Sequence, residues 1–146
     1  MTQASNQAAL HDTPSLRRTL LYIEDNPANL RLVEQLIVRR QDLKMLTAID
    51  GDLGILLARS FQPAVILMDI NLPGMSGFDA LKILGEESAT AHIPVIALSS
   101  DARPRQIEKG LRAGFYRYLT KPYIIKELMD ALDIALNREE ESHSNK

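Results

Sequence analysis

The chain has no cysteine and no tryptophan, and aromatic residues make up only 5% of its 146 positions. Without cysteine there can be no disulfide and no thiolate-bound metal, which fits a reducing compartment. A basic excess is also missing: 17 Lys and Arg stand against 19 Asp and Glu, a net charge of -2. A protein that grips a phosphate backbone needs a positive surface, so no direct nucleic-acid partner is expected. No run approaches the roughly 20 apolar residues of a membrane helix, and residues 1–18 lack the apolar stretch behind a basic start that marks a secretory signal. The expectation is a cytoplasmic protein with no membrane insertion.

What is present is an ordinary globular composition, 45% hydrophobic and 25% charged, at a length that suits one domain. Residues 1–18 are rich in Gln, Ser, Asn and Thr, and the last residues carry the run Glu139-Glu140-Glu141. Both ends read as solvated tails, 1–18 and 138–146, around a folded unit at 19–137. The glutamates are also compatible with an extension of a terminal helix.

Within that unit, short apolar runs alternate with helical patterns. Leu20-Leu21-Tyr22-Ile23 has strand length and ends at Glu24-Asp25; Asn26-Pro27 then offers an N-cap and a first-turn proline, with Leu30, Val33, Leu36 and Ile37 at helical spacing. Residues 44–49 read as a second strand, followed by a weaker helix carrying Leu53, Leu56 and Leu57. Residues 64–68 form an almost unbroken apolar run that stops at Asp69, and a glycine-containing loop leads to a helix with Leu81 and Leu84. Residues 94–98 stop at Ser99-Ser100 before a helix with Ile107 and Leu111. Residues 116–120 stop at Lys121 before a helix with Ile125, Leu128, Leu132 and Leu136. Strands apolar throughout are buried on both faces, so five such units predict a doubly wound α/β fold with a parallel sheet between two helical layers.

The chemistry lies where each strand stops. Glu24, Asp25, Asp69, Ser99 and Lys121 all fall at carboxyl ends of strands, the edge where open α/β sheets place their sites. Three carboxylates brought together repel one another unless a cation sits among them, and oxygen-only ligands favour a hard ion, Mg²⁺ before Zn²⁺. A carboxylate can also serve as a nucleophile and form an aspartyl-phosphate. Asp69 is the candidate, ending the most apolar strand. Transfer of a phosphoryl group needs charge neutralisation and hydrogen bonds, for which Lys121 supplies a cation and Ser99 a hydroxyl.

The set Glu24-Asp25, Asp69, Ser99 and Lys121-Pro122, with Asn71-Leu72-Pro73-Gly74-Met75-Ser76-Gly77 after the central aspartate, resembles the response-regulator receiver family of bacterial two-component systems. Each motif is weak alone; five in this order and spacing, over residues 19–137, are strong. The resemblance implies the strand order 2-1-3-4-5, with Asp69 as phosphoacceptor from a phosphohistidine. It implies that Asp25 and Asp69 ligate Mg²⁺ directly, Glu24 mainly through water, and Asn71 through its backbone carbonyl. Ser99 matches the family's switch hydroxyl, Tyr118 its switch aromatic and Lys121 its lysine, with a typically cis bond to Pro122. Asn71 and Asp101 match positions that tune dephosphorylation. Ser100 stands where many members have Ala, and Tyr123 where Phe is common. Implied partners are a histidine kinase or histidine phosphotransfer protein, with a downstream protein target reading the 103–136 face. The chain would then be a phosphoacceptor that assists its own phosphorylation and dephosphorylation, and not an enzyme. Phosphatases with an aspartate nucleophile want a second Asp two residues on, and Asn71 stands there. With no output domain expected after residue 137, it would act by protein contact, by relay, or as the receiver of a hybrid histidine kinase.

Singly, these residues have plainer readings. Asp25 could assist a helix N-terminus, Asp69 could be a loop carboxylate, Lys121 a surface lysine, Ser99 a cap in competition with Ser100 or Asp101, and Tyr118 a core aromatic. Arg103, Arg105, Lys109 and Arg112 read as one solvated helix face. His11, His92 and His143 are scattered and carry no proposed role.

Overall fold

In a computed structural model, residues 17–122 and 124–144 are described, 138–144 by backbone alone. The expectations for residues 1–16 and for Tyr123 lie outside them. Five strands and five helices alternate: β1 (Arg18–Ile23), α1 (Pro27–Ile37), β2 (Leu43–Ala48), α2 (Gly51–Phe61), β3 (Val65–Asp69), α3 (Gly77–Glu86), β4 (Val95–Ser99), α4 (Pro104–Ala113), β5 (Arg117–Thr120) and α5 (Ile125–Ser144). All neighbouring strands are parallel, in the order β2-β1-β3-β4-β5. This is the doubly wound order implied by the resemblance.

Strand period two divides the core into two layers. Leu21 and Ile23 of β1 face one layer with Ile55 and Ala58 of α2 and Leu81 and Leu84 of α3. Leu20 and Tyr22 face the other with Val33 and Ile37 of α1 and Leu128, Leu132 and Leu136 of α5. The five residues of β3 are all buried, which explains its unbroken apolar sequence. Because β1 sits between β2 and β3, the winding reverses beside it, and a crevice opens at the carboxyl ends of β1 and β3.

Helix starts follow local chemistry. Asn26 caps α1, its Oδ1 accepting from the N–H groups of Ala28 (2.8 Å) and Asn29 (3.1 Å). Ser76 caps α3 in a capping box: its Oγ accepts from the Asp79 N–H at 3.1 Å, and the Asp79 carboxylate accepts from the Ser76 N–H at 3.3 Å.

Several expectations change. The buried face of α2 is Gly51, Gly54, Ile55 and Ala58, whereas Leu53 and Leu56 are 37% and 53% exposed. Small residues let α2 approach the sheet, for a Cβ on Gly54 would stand 2.4 Å from Ile23 Cδ1. In α4 only Gly110 is buried, and Leu111 is exposed. None of Ser99, Ser100 or Asp101 caps α4; its N-cap is Arg103, whose side chain makes no capping bond to the helix. Helix α5 runs past residue 137 to Ser144, through glutamates that are good helix formers, with no glycine or proline to stop it. β1 begins at Arg18, one residue inside the expected tail, where its N–H donates to the Asp42 carbonyl (2.9 Å) and its Nη1 to the Leu136 carbonyl (2.9 Å). Among the described residues, no helix is long and apolar enough to cross a membrane.

Candidate acidic site at the carboxyl edge of the sheet

Parallel pairing sets the geometry. Ile23 of β1 pairs with Met68 of β3, and Ser99 of β4 with Thr120 of β5, so the next residue of each chain segment arrives at one edge. Glu24 follows β1 with its N–H on the Ala48 carbonyl at 2.9 Å, and Lys121 follows β5 with its N–H on the Ser99 carbonyl at 2.8 Å. Asp69 closes β3. Carboxylate oxygens of Glu24, Asp25 and Asp69 lie within 4.8 Å of one another.

The three differ in environment. Glu24 is 0% and Asp69 5% exposed, whereas Asp25 is exposed. Glu24 Oε1 accepts from the Tyr22 hydroxyl at 2.9 Å and from Lys121 Nζ at 3.4 Å, and Oε2 accepts from the Asn26 N–H at 3.2 Å. Asp69 Oδ1 accepts from the Asn71 N–H at 3.1 Å, and Oδ2 lies 3.4 Å from Lys121 Nζ. Burial pushes the Asp69 carboxyl up to about 6, and the neighbouring Glu24 adds to the rise. For Glu24, burial is outweighed by its hydrogen bond with Asp69, the charge of Lys121 and the donors Tyr22 and Asn26, which hold it below the usual value. The first proton therefore goes to Asp69.

The donor set fits a hard divalent cation. All its ligand atoms are oxygens, and one ammonium against three carboxylates leaves two negative charges uncompensated.

Beside the acidic group runs a second chain of contacts. Ser99, 1% exposed, accepts the Asp101 N–H on Oγ at 3.0 Å. The Asp101 carbonyl accepts the Tyr118 hydroxyl at 2.9 Å. The half-buried Tyr118 ring lies against Gly110 of α4, where a Cβ would stand 2.7 Å from Cδ2. The Asp101 carboxylate pairs with Arg103 through Nε (2.9 Å) and Nη2 (2.6 Å), which holds its carboxyl down at about 2. Ser100 is exposed. The Lys121–Pro122 bond is cis.

The structure thus gathers Glu24, Asp25, Asp69 and Lys121, ties Asn71 to Asp69 through its N–H, and links Ser99, Asp101 and Tyr118 in one run. Arg103, Arg105, Lys109 and Arg112 are all exposed, as expected of a solvated face, although Arg103 is the N-cap of α4 and its exposed guanidinium pairs with Asp101. Lys109 lies 4.8 Å from the centre of the Phe78 ring and Arg112 pairs with Glu108 at 3.2 Å. Sequence reasoning also missed Tyr22, which was read as one more apolar strand residue. Its signal was the period-two spacing that puts its hydroxyl on the same side of the strand as Glu24.

Residues 20–133 match the family model of the response regulator receiver domain. The response regulator PleD of Caulobacter vibrioides is 36% identical over 104 residues, 70% of this chain and 22% of PleD. The chain thus spans under a quarter of that relative's length. Protein PilH of Pseudomonas aeruginosa is 32% identical over 117 residues, 80% of this chain and 96% of PilH. Among solved structures, the receiver domain of the sensor histidine kinase PA1611 of Pseudomonas aeruginosa PAO1 is 29% identical with a TM-score of 0.75, covering 83% of this chain and 98% of that one. That structure has a magnesium ion coordinated in the active-site cleft.

Proposed function

Because the chain belongs to the response-regulator receiver family of two-component systems, we propose that Asp69 accepts a phosphoryl group from a phosphohistidine donor in a Mg²⁺-dependent step. The observation that carries this reading is one buried carboxylate at the end of the central strand, 3.4 Å from a lysine and within 4.8 Å of two further carboxylates.

An ionised Asp69 oxygen attacks phosphorus; the new O–P bond forms as the P–N bond to the donor imidazole breaks, and the imidazole leaves with the electron pair. With its carboxyl near 6, Asp69 is ionised at neutral pH. Asp25 and Asp69 would hold the cation directly, Glu24 through water, and the Asn71 carbonyl would complete the protein ligands. When bound, Mg²⁺ offsets carboxylate repulsion and shields the incoming phosphoryl oxygens. Lys121 Nζ, already beside Asp69 Oδ2, would take one phosphoryl oxygen, and the Ser99 hydroxyl, whose Oγ accepts the Asp101 N–H and can still donate, another. Drawing Ser99 toward Asp69 would strain its bond to Asp101 and thereby the Tyr118 contact, changing the face of β5, α4 and α5 that a target reads. Asn71 and Asp101 would tune the lifetime of the phosphoryl group, and Ser100 borders its path.

In this reading the chain is an acceptor and not a turnover enzyme, and it works in the cytoplasm with a histidine kinase or phosphotransfer protein as donor. The test is incubation with phosphoramidate and Mg²⁺, followed by intact mass. One labile phosphoryl group per chain is expected, and none with chelator or in Asp69→Asn. Turnover of an added phosphomonoester would make the protein a phosphatase, and no uptake would make it a scaffold.

A further inference from the structure

We propose that Tyr22 is a positioning residue for Lys121: by donating its hydroxyl to Glu24, it keeps that buried carboxylate from capturing the lysine that Asp69 needs. The inference rests on the reading of Asp69 as phosphoacceptor and adds a residue that reading does not use.

Lys121 Nζ stands 3.4 Å from Glu24 Oε1, to which it donates a long hydrogen bond, and 3.4 Å from Asp69 Oδ2, so the two carboxylates share one ammonium. Neither is accessible enough to be satisfied mainly by water, for Glu24 is 0% and Asp69 5% exposed. A buried carboxylate lacking donors is costly and draws any cation within reach. Glu24 Oε2 is served by the Asn26 N–H at 3.2 Å. Its Oε1 has a shorter bond, 2.9 Å, from the hydroxyl of a tyrosine that is itself 0% exposed. The phenol is neutral, so it satisfies Glu24 without cancelling the negative charge a divalent cation would use. An apolar residue at position 22 would fill the same layer between α1 and α5 and take away the shorter of the two bonds to Oε1, so that Lys121 would close on it to replace the lost donor. The lysine has a flexible stem and would close on Glu24, away from Asp69.

Tyr22→Phe keeps the ring and removes only the hydroxyl. In the full chain, calorimetric titration with Mg²⁺ should show affinity weakened by about tenfold, the low end for loss of a group that supports a metal ligand. Phosphorylation by phosphoramidate at saturating Mg²⁺ should slow as well, because Lys121 no longer waits at Asp69. Tyr22→Met, apolar and of similar bulk, should behave alike and substitutes if Tyr22→Phe folds poorly. The decisive comparison repeats the substitution in a Glu24→Gln background, where no carboxylate competes for the lysine. There the effect of Tyr22→Phe on both readouts should vanish; a merely structural tyrosine would cost the same in both backgrounds. Unchanged Mg²⁺ affinity and rate in Tyr22→Phe, or equal losses in both backgrounds, would overturn the role of Tyr22 and leave Asp69 as acceptor. A wild-type protein that neither binds Mg²⁺ nor takes up a phosphoryl group would overturn the acceptor reading, and this inference with it.

Discussion

Replacing Asp69 by Asn should stabilise the metal-free protein at neutral pH and make almost no difference in acid. Burial first, and then Glu24, raise the Asp69 carboxyl from 3.8 to about 6. A raised acid binds its proton more tightly in the folded than in the unfolded state. Its favourable contribution is complete below the unfolded value and is lost as pH climbs from about 4 to about 6. At about 1.4 kcal/mol per pH unit, the shift sets a ceiling of about 3 kcal/mol. Burial raises Glu24 too, but its hydrogen bond with Asp69, the charge of Lys121 and the donors Tyr22 and Asn26 outweigh it and lower the carboxyl, which favours the fold above the acid range and offsets part of that loss; Asp69→Asn also gives up the 3.4 Å contact with Lys121. A net gain of about 1–2 kcal/mol remains for the variant near pH 8, shrinking toward zero near pH 4. Urea unfolding in chelator at both pH values measures it, and Mg²⁺ should narrow the gap by stabilising wild type more than the variant. A variant less stable than wild type near pH 8, or a difference that does not change with pH, would refute the picture of Asp69 as the strained carboxylate.

Mg²⁺ affinity should fall more in Asp25→Ala than in Glu24→Ala, since Asp25 is proposed to touch the ion and Glu24 to act through water; equal affinity of wild type and Asp25→Ala in a calorimetric titration would contradict this. Ser76→Ala breaks the capping box of α3 and should cost about 1 kcal/mol in urea unfolding, an unchanged midpoint arguing against the cap. Gly77→Ala would place a Cβ 2.8 Å from Ile70 Cα and 3.0 Å from the Asp69 carbonyl oxygen, both backbone, so a loss of about 1–3 kcal/mol and slower phosphoryl uptake are expected; wild-type stability would show that the loop yields freely. Ser99→Ala should still be phosphorylated while amide exchange over residues 99–121 responds less than in wild type, and an equal response would remove Ser99 from the route of transmission.

The parts of the fold readable from sequence were those set by strong, local signals. β3 and β4 are buried throughout, so their apolar runs announced a sheet covered on both faces, and the polar residue closing each run marked the edge where Glu24, Asp69, Ser99 and Lys121 lie. Asn26-Pro27 announced the start of α1 by capping chemistry alone. Helix α2 misled because its leucines were more conspicuous than Gly51, Gly54 and Ala58, although close approach to Ile23 selects the small side. Helix α4 misled for a related reason: Gly110 gives way to Tyr118, and Leu111 stays outside. The end of α5 was ambiguous because propensity and charge argue in opposite directions at 139–141. Partners were the least legible. The Arg103 fork on Asp101 and the Tyr22 hydroxyl on Glu24 depend on which side chains meet across a turn or along one strand face, and composition carries no trace of that.

The central claim is that Asp69, among four acidic residues at this edge, receives the phosphoryl group. Protein treated with phosphoramidate and Mg²⁺ can be reduced with borohydride, which converts an aspartyl-phosphate to homoserine, and then mapped by peptide mass spectrometry. Conversion should appear at Asp69 alone, with Glu24, Asp25 and Asp101 intact and no conversion when Mg²⁺ is omitted. Reduction at Asp25 or Asp101 with Asp69 unmodified would contradict the account.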